Sequence, residues 1–397
     1  MERRELASLL GARESGAPGN PRCVEDADPE SFMRLFAQAV ADGGDLFLGD
    51  PSWRSVERGQ LARLLGAGAG GDRGWLMIPS GGAGGGLKFA RHDGGTIAAA
   101  VKGFCAHFGM ERVHSVSVLP LHHVSGFMAW MRSALTGGRF VPWAWGDVEA
   151  GRFPEGPFDE ACISLVPTQL QRLLSSADAV RWLRSFRIVF VGGGPAWDGL
   201  LDEAAGLELP LSPSYGATET AAMVAALRPG EFLVGSRGCG TALPHARIDI
   251  AEGGVVRVSG ESVFRGYFPE FREERSWTTG DLGSIDPHGN LTIHGRLDDL
   301  ILTGGKKVAP AEVEEALRSS GEFEDVAVIG MQDPEWGQVV VACHPHSHRL
   351  DHGRIDAALS LLASYKHPKR YASIEPWPRN SQGKVNRATL AELAAGA

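Results

Sequence analysis

Between Trp75 and Pro195 the chain alternates short, uninterrupted apolar runs with segments whose apolar residues recur at helical spacing, and few architectures accept that order. The runs 75–78, 115–120, 139–143, 161–166 and 187–191 read as strands covered on both faces. The segments 93–108, 124–135, 168–174 and 180–186 read as the helices that cover them. This is α/β wrapping. After residue 230 come short glycine-punctuated strands at 246–250, 254–259 and 291–294, a small β subdomain. Beyond Asp298, helices at 310–318 and 354–364 and strands near 326–329 and 339–343 suit a small α+β lid. Residues 1–70 read as helices at 2–10, 28–41 and 55–65 with polar joints and no recognisable chemistry. The expected fold class is α/β: a large N-terminal domain of wrapped sheets with a small β subdomain, 1–297, then a small α+β C-terminal domain, 298–397.

Composition narrows the partners. At 397 residues and 43% hydrophobic the chain can bury full cores. Its formal charge of -9 is spread out without a basic tract, which argues against nucleic acid and against a polybasic membrane anchor. Small-molecule partners are expected. Cys23, Cys105, Cys162, Cys239 and Cys343 lie far apart, with no CxxC and no ligand spacing to the histidines. Neither zinc nor disulfides are indicated, and a reducing cytoplasm fits. No apolar run approaches the roughly 20 residues of a membrane span, and the charged start Met1-Glu2-Arg3-Arg4-Glu5 lacks the apolar centre of a signal peptide. The composition is compatible with a homo-oligomer.

Chemistry enters at 79–88, Pro-Ser-Gly-Gly-Ala-Gly-Gly-Gly-Leu-Lys. Without Cβ atoms such a loop can turn its N–H groups into an anion nest, and Lys88 adds a mobile charge at the rim. A plain flexible loop reads equally well from this stretch alone, because it meets neither the Walker A pattern nor GxGxxG. The stretch 66–71 does meet GxGxxG, but it follows a helix and precedes a strand, the reverse of a dinucleotide site, and reads as a linker. Ser214-Tyr215-Gly216-Ala217-Thr218-Glu219-Thr220 reads as the start of a helix. There an aromatic can cover a purine, Thr218 can donate to phosphate and Glu219 can hold Mg²⁺, or Thr218 can simply cap the helix. Thr279-Gly280-Asp281 places a carboxylate in a turn, where it can accept two ribose hydroxyls, and Arg296 can clamp sugar or phosphate. Residues 378–387 form a polar loop presenting Lys384.

In this order the stretches from about residue 75 to 387 resemble the adenylate-forming superfamily of acyl-CoA synthetases, adenylation domains and luciferases. The resemblance implies a large domain holding ATP and an acid, and a mobile C-terminal domain that rotates between two half-reactions. A carboxylate attacks the α-phosphorus of ATP, releasing pyrophosphate, and the thiol of CoA then displaces AMP. By position, Ser80, Gly81, Gly82, Gly85, Lys88 and Thr218 would hold phosphates. Glu219 would hold Mg²⁺, and Lys384 would bridge the carboxylate and α-phosphate. Asp281 and Arg296 would bind ribose; Gly193, Gly194, Tyr215 and Gly216 would frame adenine. Asp298 would be the hinge, and Gly304-Gly305 the strip along which the arm of CoA reaches the adenylate.

Within the superfamily the abbreviated start, Leu119-Pro120-Leu121-His122-His123-Val124-Ser125-Gly126, the run from Thr218 to Phe232, and Leu243 to Ile248 resemble o-succinylbenzoate:CoA ligases of menaquinone and phylloquinone synthesis. In that reading His123, Val124, Ser125 and Gly126 line the acid pocket. Two other readings stand beside it: an enzyme adenylating another aryl or short-chain acid, with CoA or a carrier protein as acceptor, and a silent ligand-binding homologue. One departure bears on ATP. Gly81, Ala83 and Gly84 stand where the family offers hydroxyls and Leu87 where it has proline, so Ser80 alone keeps a hydroxyl. Each lost charge-assisted bond weakens phosphate binding by roughly 1.5–3 kcal/mol unless backbone N–H groups compensate.

Overall fold

The apolar runs form the middle of a seven-stranded sheet whose spatial order is Thr241–Ala242, Ala222–Ala226, Leu211–Ala217, Ile188–Val191, Ala161–Leu165, His114–Ser117 and Phe140–Pro142. From Leu211–Ala217 to Phe140–Pro142 the neighbours are parallel, and the remaining strands are antiparallel. The structure, a computed structural model, describes residues 1–12, 22–66, 73–81, 86–345, 350–379 and 385–396. Helices Pro167–Leu174, Ala177–Arg184 and Asp198–Gly206 bury Leu170, Leu183 and Leu201 against one face of this sheet.

Helices Gly94–Phe108 and Val124–Thr136 cover the other face and also meet a four-stranded sheet. The first helix starts in a capping box, with Asp93 accepting from the N–H of Thr96, and ends at left-handed Gly109. Its Phe104 packs at a tilt against Phe190 of the large sheet, while Ile97 belongs to the cluster with Leu76 and Ile78. The four-stranded sheet is Arg22–Val24, Leu46–Leu48, Leu76–Ser80 and Lys88–His92, parallel except for the last pair.

Here the structure corrects the reading of residues 1–70 as helices alone. The helices are present at Arg3–Leu9, Pro29–Asp42 and Ser55–Gly66, but Arg22–Val24 and Leu46–Leu48 pair as strands between them. They are too short to show a period. A second correction concerns the glycine loop, which joins two antiparallel strands rather than a strand to a helix; Ser80 and Lys88 face each other in register.

The third sheet, Ala246–Ile250, Val255–Gly260, Ser276–Ile285 and Leu291–Arg296, is wholly antiparallel. The last contains Ile301–Thr303, Lys306–Val308, Ala327–Asp333, Gly337–His344 and Arg370–Ser373. Helices Pro310–Ser319 and His352–Leu359 cover one of its faces around Val313, Leu317 and Ile355, and Arg387–Gly396 covers the other through Leu390 and Ala394. The result is a mixed α/β protein with a large N-terminal part and a small C-terminal one. Among the described residues no helix is long and apolar enough to cross a membrane.

Candidate active site

In a parallel sheet the chain leaves every strand at the same edge, so loops distant in sequence converge there. At that edge lie His123 to Gly126 beyond His114–Ser117, Gly192 to Gly194 beyond Ile188–Val191, and Tyr215 to Glu219 at the end of Leu211–Ala217. The 214–220 stretch does not begin an α-helix. Its strand ends at Ala217, Thr218–Thr220 makes a single tight 3₁₀ turn, and left-handed Ala221 (φ 52) sends the chain back as Ala222–Ala226. Gly216 is dictated by this hairpin, because a Cβ there would lie 2.0 Å from the carbonyl oxygen of Ala222.

The turn carries Glu219 to the meeting point of three segments. Its Oε1 accepts from Ser80 Oγ at 2.5 Å and from the Tyr267 hydroxyl at 2.7 Å, and its backbone carbonyl accepts from Phe264 N at 2.8 Å. The side chain is buried at 5% exposure. His92 secures the turn from beneath: Nε2 donates to the carbonyl of Thr218 at 2.8 Å, and Nδ1 lies 3.1 Å from Thr96 Oγ1. A carbonyl can only accept, so His92 carries its proton on Nε2. Burial depresses its pKa to about 4 and keeps the ring neutral. Ser80 therefore directs its proton at Glu219 and offers a ligand its oxygen lone pairs. Lys88 is exposed, with Nζ 5.6 Å from the centroid of the Tyr267 ring.

A second group forms on the third sheet. Asp281 lies in the strand Ser276–Ile285 rather than in a turn, paired with Arg296 of the neighbouring strand. Its Oδ2 accepts from the Tyr215 hydroxyl at 2.6 Å and its Oδ1 faces Arg296 Nη1 at 3.4 Å. Burial and the adjoining Asp281 raise the Tyr215 phenol above its ordinary range, so it remains a donor. Arg296 grips Asp298 with two bonds, Nε to Oδ1 at 2.8 Å and Nη2 to Oδ2 at 2.9 Å, which hold the Asp298 carboxyl below its usual range.

The loop before Val124–Thr136 is anchored through Asp50. His122 Nε2 lies 3.5 Å from Asp50 Oδ2, Ser52 donates to Oδ1 from both its N–H and its hydroxyl, and the His122 and His123 rings stand 4.3 Å apart. Burial opposes ionisation of Asp50, but the contacts from His122 and Ser52 outweigh it and lower its pKa. Gly126 packs against the loop, since a Cβ would meet the Pro120 carbonyl oxygen at 2.3 Å. Farther along the same helix, Arg132 is 6% exposed, lies 4.2 Å over the Phe104 ring, and has a buried Nε with no hydrogen-bond partner among the described residues. No carboxylate pairs with it among the described residues.

Gly304 and Gly305 form the two-residue turn of a hairpin, both left-handed (φ 54 and 75), beside Trp336, whose ring lies 3.6 Å from Lys369 Nζ. Gly82, Gly85 and Lys384 lie outside the described residues. The stems flanking Lys384 are fixed by the bridge between Arg379 and Val385, by Arg379 to Asp325, and by Arg387 Nη1 to Glu314 at 2.7 Å. Tyr267, His92, Asp50 and Arg132 escaped the sequence reading. Only Asp50, a carboxylate in Gly-Asp-Pro, stood in a context hinting at a turn.

Two family models match in tandem, the AMP-binding enzyme over residues 71–268 and the AMP-binding enzyme C-terminal domain over residues 312–384. The chain belongs to the AMP-binding enzyme family. A curated member from Listeria innocua, 2-succinylbenzoate–CoA ligase, is 32% identical over 301 residues, covering 71% of this chain. The matched region spans 62% of that relative's own length. Among solved structures, o-succinylbenzoate CoA synthetase from Bacillus subtilis with the acyl-adenylate OSB-AMP superposes with a TM-score of 0.79 at 24% identity, covering 98% of this chain and 91% of the other. The same enzyme with ATP and magnesium ion gives 0.79 at 23% identity, covering 98% and 92%. These likenesses establish the AMP-binding fold.

Proposed function

We propose that this AMP-binding family member is an AMP-forming acid:CoA ligase that converts o-succinylbenzoate to its CoA thioester through an acyl-adenylate, in the cytoplasm. The acid's carboxylate oxygen attacks the α-phosphorus of ATP while the bond to pyrophosphate breaks. The CoA sulfur then attacks the acyl carbon, loses its proton and expels AMP. Backbone N–H groups of 81–86 and Lys88 receive the outer phosphates, Asp281 and Arg296 the ribose, and Gly193, Gly194 and Tyr215 the adenine. Lys384 supplies positive charge between carboxylate and α-phosphate. Glu219 suits Mg²⁺, since it is an oxygen donor with one oxygen that receives no hydrogen bond among the described residues. When bound there, Mg²⁺ offsets phosphate charge.

Arg132 carries the choice of acid. It is a buried guanidinium on the helix that begins at the acid-pocket loop, and the described chain supplies no counter-charge. A buried cation is costly unless paired. An acid with a second carboxylate supplies the pair. The strip beside Gly304-Gly305, with Lys369 on Trp336 and Lys306 4.4 Å from the Tyr365 ring, suits a phosphorylated nucleotide and so favours CoA over a carrier protein. We place the domain boundary at 297/298 with Asp298 as hinge. Supporting it, each hydrophobic cluster among the described residues lies wholly on one side. The free cysteines accord with a reducing compartment.

The test is a ligation assay with ATP, Mg²⁺ and CoA across o-succinylbenzoate, benzoate and short and medium fatty acids. We expect kcat/KM for o-succinylbenzoate to exceed that for benzoate by about 100-fold or more, and Arg132→Met to erase most of that ratio. An equal preference for monocarboxylates would overturn the assignment of the acid.

A further inference from the structure

The residue that ties the anionic and cationic halves of the phosphate site together is Tyr267. It lies on an irregular segment that runs antiparallel to Lys88–His92: Phe268 N donates to Phe89 O at 2.9 Å, Arg265 N to Arg91 O at 2.7 Å, and Tyr267 bridges Ala90. Residues two apart on a strand share a face, so Lys88 is the diagonal neighbour of Tyr267 on the side where Ala90 faces it. The ring lies 5.6 Å from Lys88 Nζ and is braced edge-on by Phe264 at 4.9 Å. The hydroxyl reaches the opposite charge, Glu219 Oε1, at 2.7 Å.

The hydrogen-bond count at Glu219 gives this contact its consequence. A carboxylate oxygen accepts about two hydrogen bonds, and Oε1 receives two, from Tyr267 and Ser80. Among the described residues Oε2 receives none. The two donors thus fix the rotation of the carboxylate and leave one oxygen for a cation. They are not equivalent. Ser80 sits on the glycine hairpin and must exchange its proton's partner if it is to donate to a phosphate, whereas Tyr267 is held by strand pairing away from the tip. Its hydroxyl has a single proton, and the 2.7 Å contact directs that proton at Glu219 Oε1.

We propose that Tyr267 is the positioning residue of the metal-binding carboxylate: its hydroxyl keeps Oε1 of Glu219 occupied so that Oε2 meets Mg²⁺, and its ring holds Lys88 toward the phosphates. The proposal rests on the reading of Glu219 as the Mg²⁺ ligand. It separates two roles within one side chain. Tyr267→Phe removes the hydroxyl and keeps the ring; Tyr267→Leu removes both.

The experiment measures ATP binding to the full chain by isothermal titration, with Mg²⁺ and with the metal chelated. Tyr267→Phe is expected to leave metal-free ATP affinity within about twofold and to reduce the Mg²⁺-dependent gain by about tenfold, a loss of one charge-assisted hydrogen bond. Tyr267→Leu should also weaken metal-free binding. Glu219→Gln should abolish the gain, and adding Tyr267→Phe to it should change nothing further. A wild-type Mg²⁺ gain in Tyr267→Phe, or additive losses in the double variant, would overturn the proposal while leaving the role of Glu219 standing. A gain that survives Glu219→Gln would overturn the role of Glu219 and the proposal with it.

Discussion

Arg296 holds Asp298 side-on, with Nε and Nη2 each donating to a different carboxylate oxygen at 2.8 and 2.9 Å, while its third nitrogen faces Asp281. One guanidinium therefore links the strand proposed to bind ribose to the residue proposed as hinge. The pair is roughly half exposed on both sides. An exposed pair of this kind contributes about 0–1 kcal/mol to stability, so its importance lies in conformation.

Replacing Asp298 should accordingly separate stability from turnover. Asp298→Ala is expected to move Tm by no more than about 2 °C, since the pair is solvent-screened. Asp298→Pro additionally fixes φ and should slow thioester formation by tenfold or so more than ATP–pyrophosphate exchange. Comparing the two half-reactions in one preparation checks this. Equal losses in both would count against the hinge.

Lys384 should matter to one half-reaction only. Lys384→Ala is expected to lower acid-dependent ATP–pyrophosphate exchange by about 100-fold or more, the scale of losing one transition-state charge contact, while CoA transfer from preformed adenylate persists. Unchanged exchange would remove Lys384 from the catalytic set.

Gly216→Ala tests the hairpin beneath Glu219. With its Cβ 2.0 Å from the Ala222 carbonyl oxygen, backbone must move on one side or the other. The variant should lose about 2 kcal/mol or more in denaturant unfolding. An unaltered midpoint would mean that this hairpin has slack which the geometry does not show.

Stability should fall in mild acid for a reason located at His92. Burial lowers its pKa from 6.5 to about 4. Between those values the unfolded chain binds the proton that the folded chain refuses, so stability rises with pH through that window. The stability is fully present above about pH 6.5, declines as pH falls toward about 4 and flattens below it, a span of about 3 kcal/mol from this one group. Burial shifts His245 in the same direction, also to about 4. Urea unfolding midpoints from pH 7 to 4 should show the decline, and His92→Gln should flatten part of it; a slope unaffected by that change would exclude His92 as its source.

ATP affinity should be modest. With the loop short of hydroxyls and the Ser80 proton directed at Glu219, the KM for ATP is expected in the upper part of the usual range of about 1 μM to 1 mM. A low-micromolar KM would show that backbone N–H groups alone suffice.

What was legible in the sequence follows from how local each signal is. The helix Pro29–Asp42 could be read because Asp28 caps it and its apolar face repeats, and the strand Ile188–Val191 because it is an unbroken apolar run. The turn at Thr218–Thr220 could not, because Ala221 adopts a left-handed conformation that a sequence ordinarily signals with glycine or asparagine. Lys88–His92 was hidden because Arg91 and His92 are polar residues buried by specific partners: Arg91 Nε donates to the Gly74 carbonyl and His92 to that of Thr218. Tyr267 carries no local mark; the contact that gives it meaning spans 48 residues, and the one between Ser80 and Glu219 spans 139. Motif order led to the expectation that the carboxylates and lysines share one site, whereas the hydrogen bonds that orient Glu219 and Asp281 belong to the tertiary fold.

The pairing of Ser80 with Lys88 across the ladder also makes the glycine stretch a separable module. Because the register of the two strands sets both anchoring residues, changes of sequence between them are expected to leave Ser80 and Lys88 opposite each other. It is therefore the natural place to graft a denser set of hydroxyls, or a fluorophore that reports nucleotide arrival, while the rest of the molecule serves as an unchanged chassis.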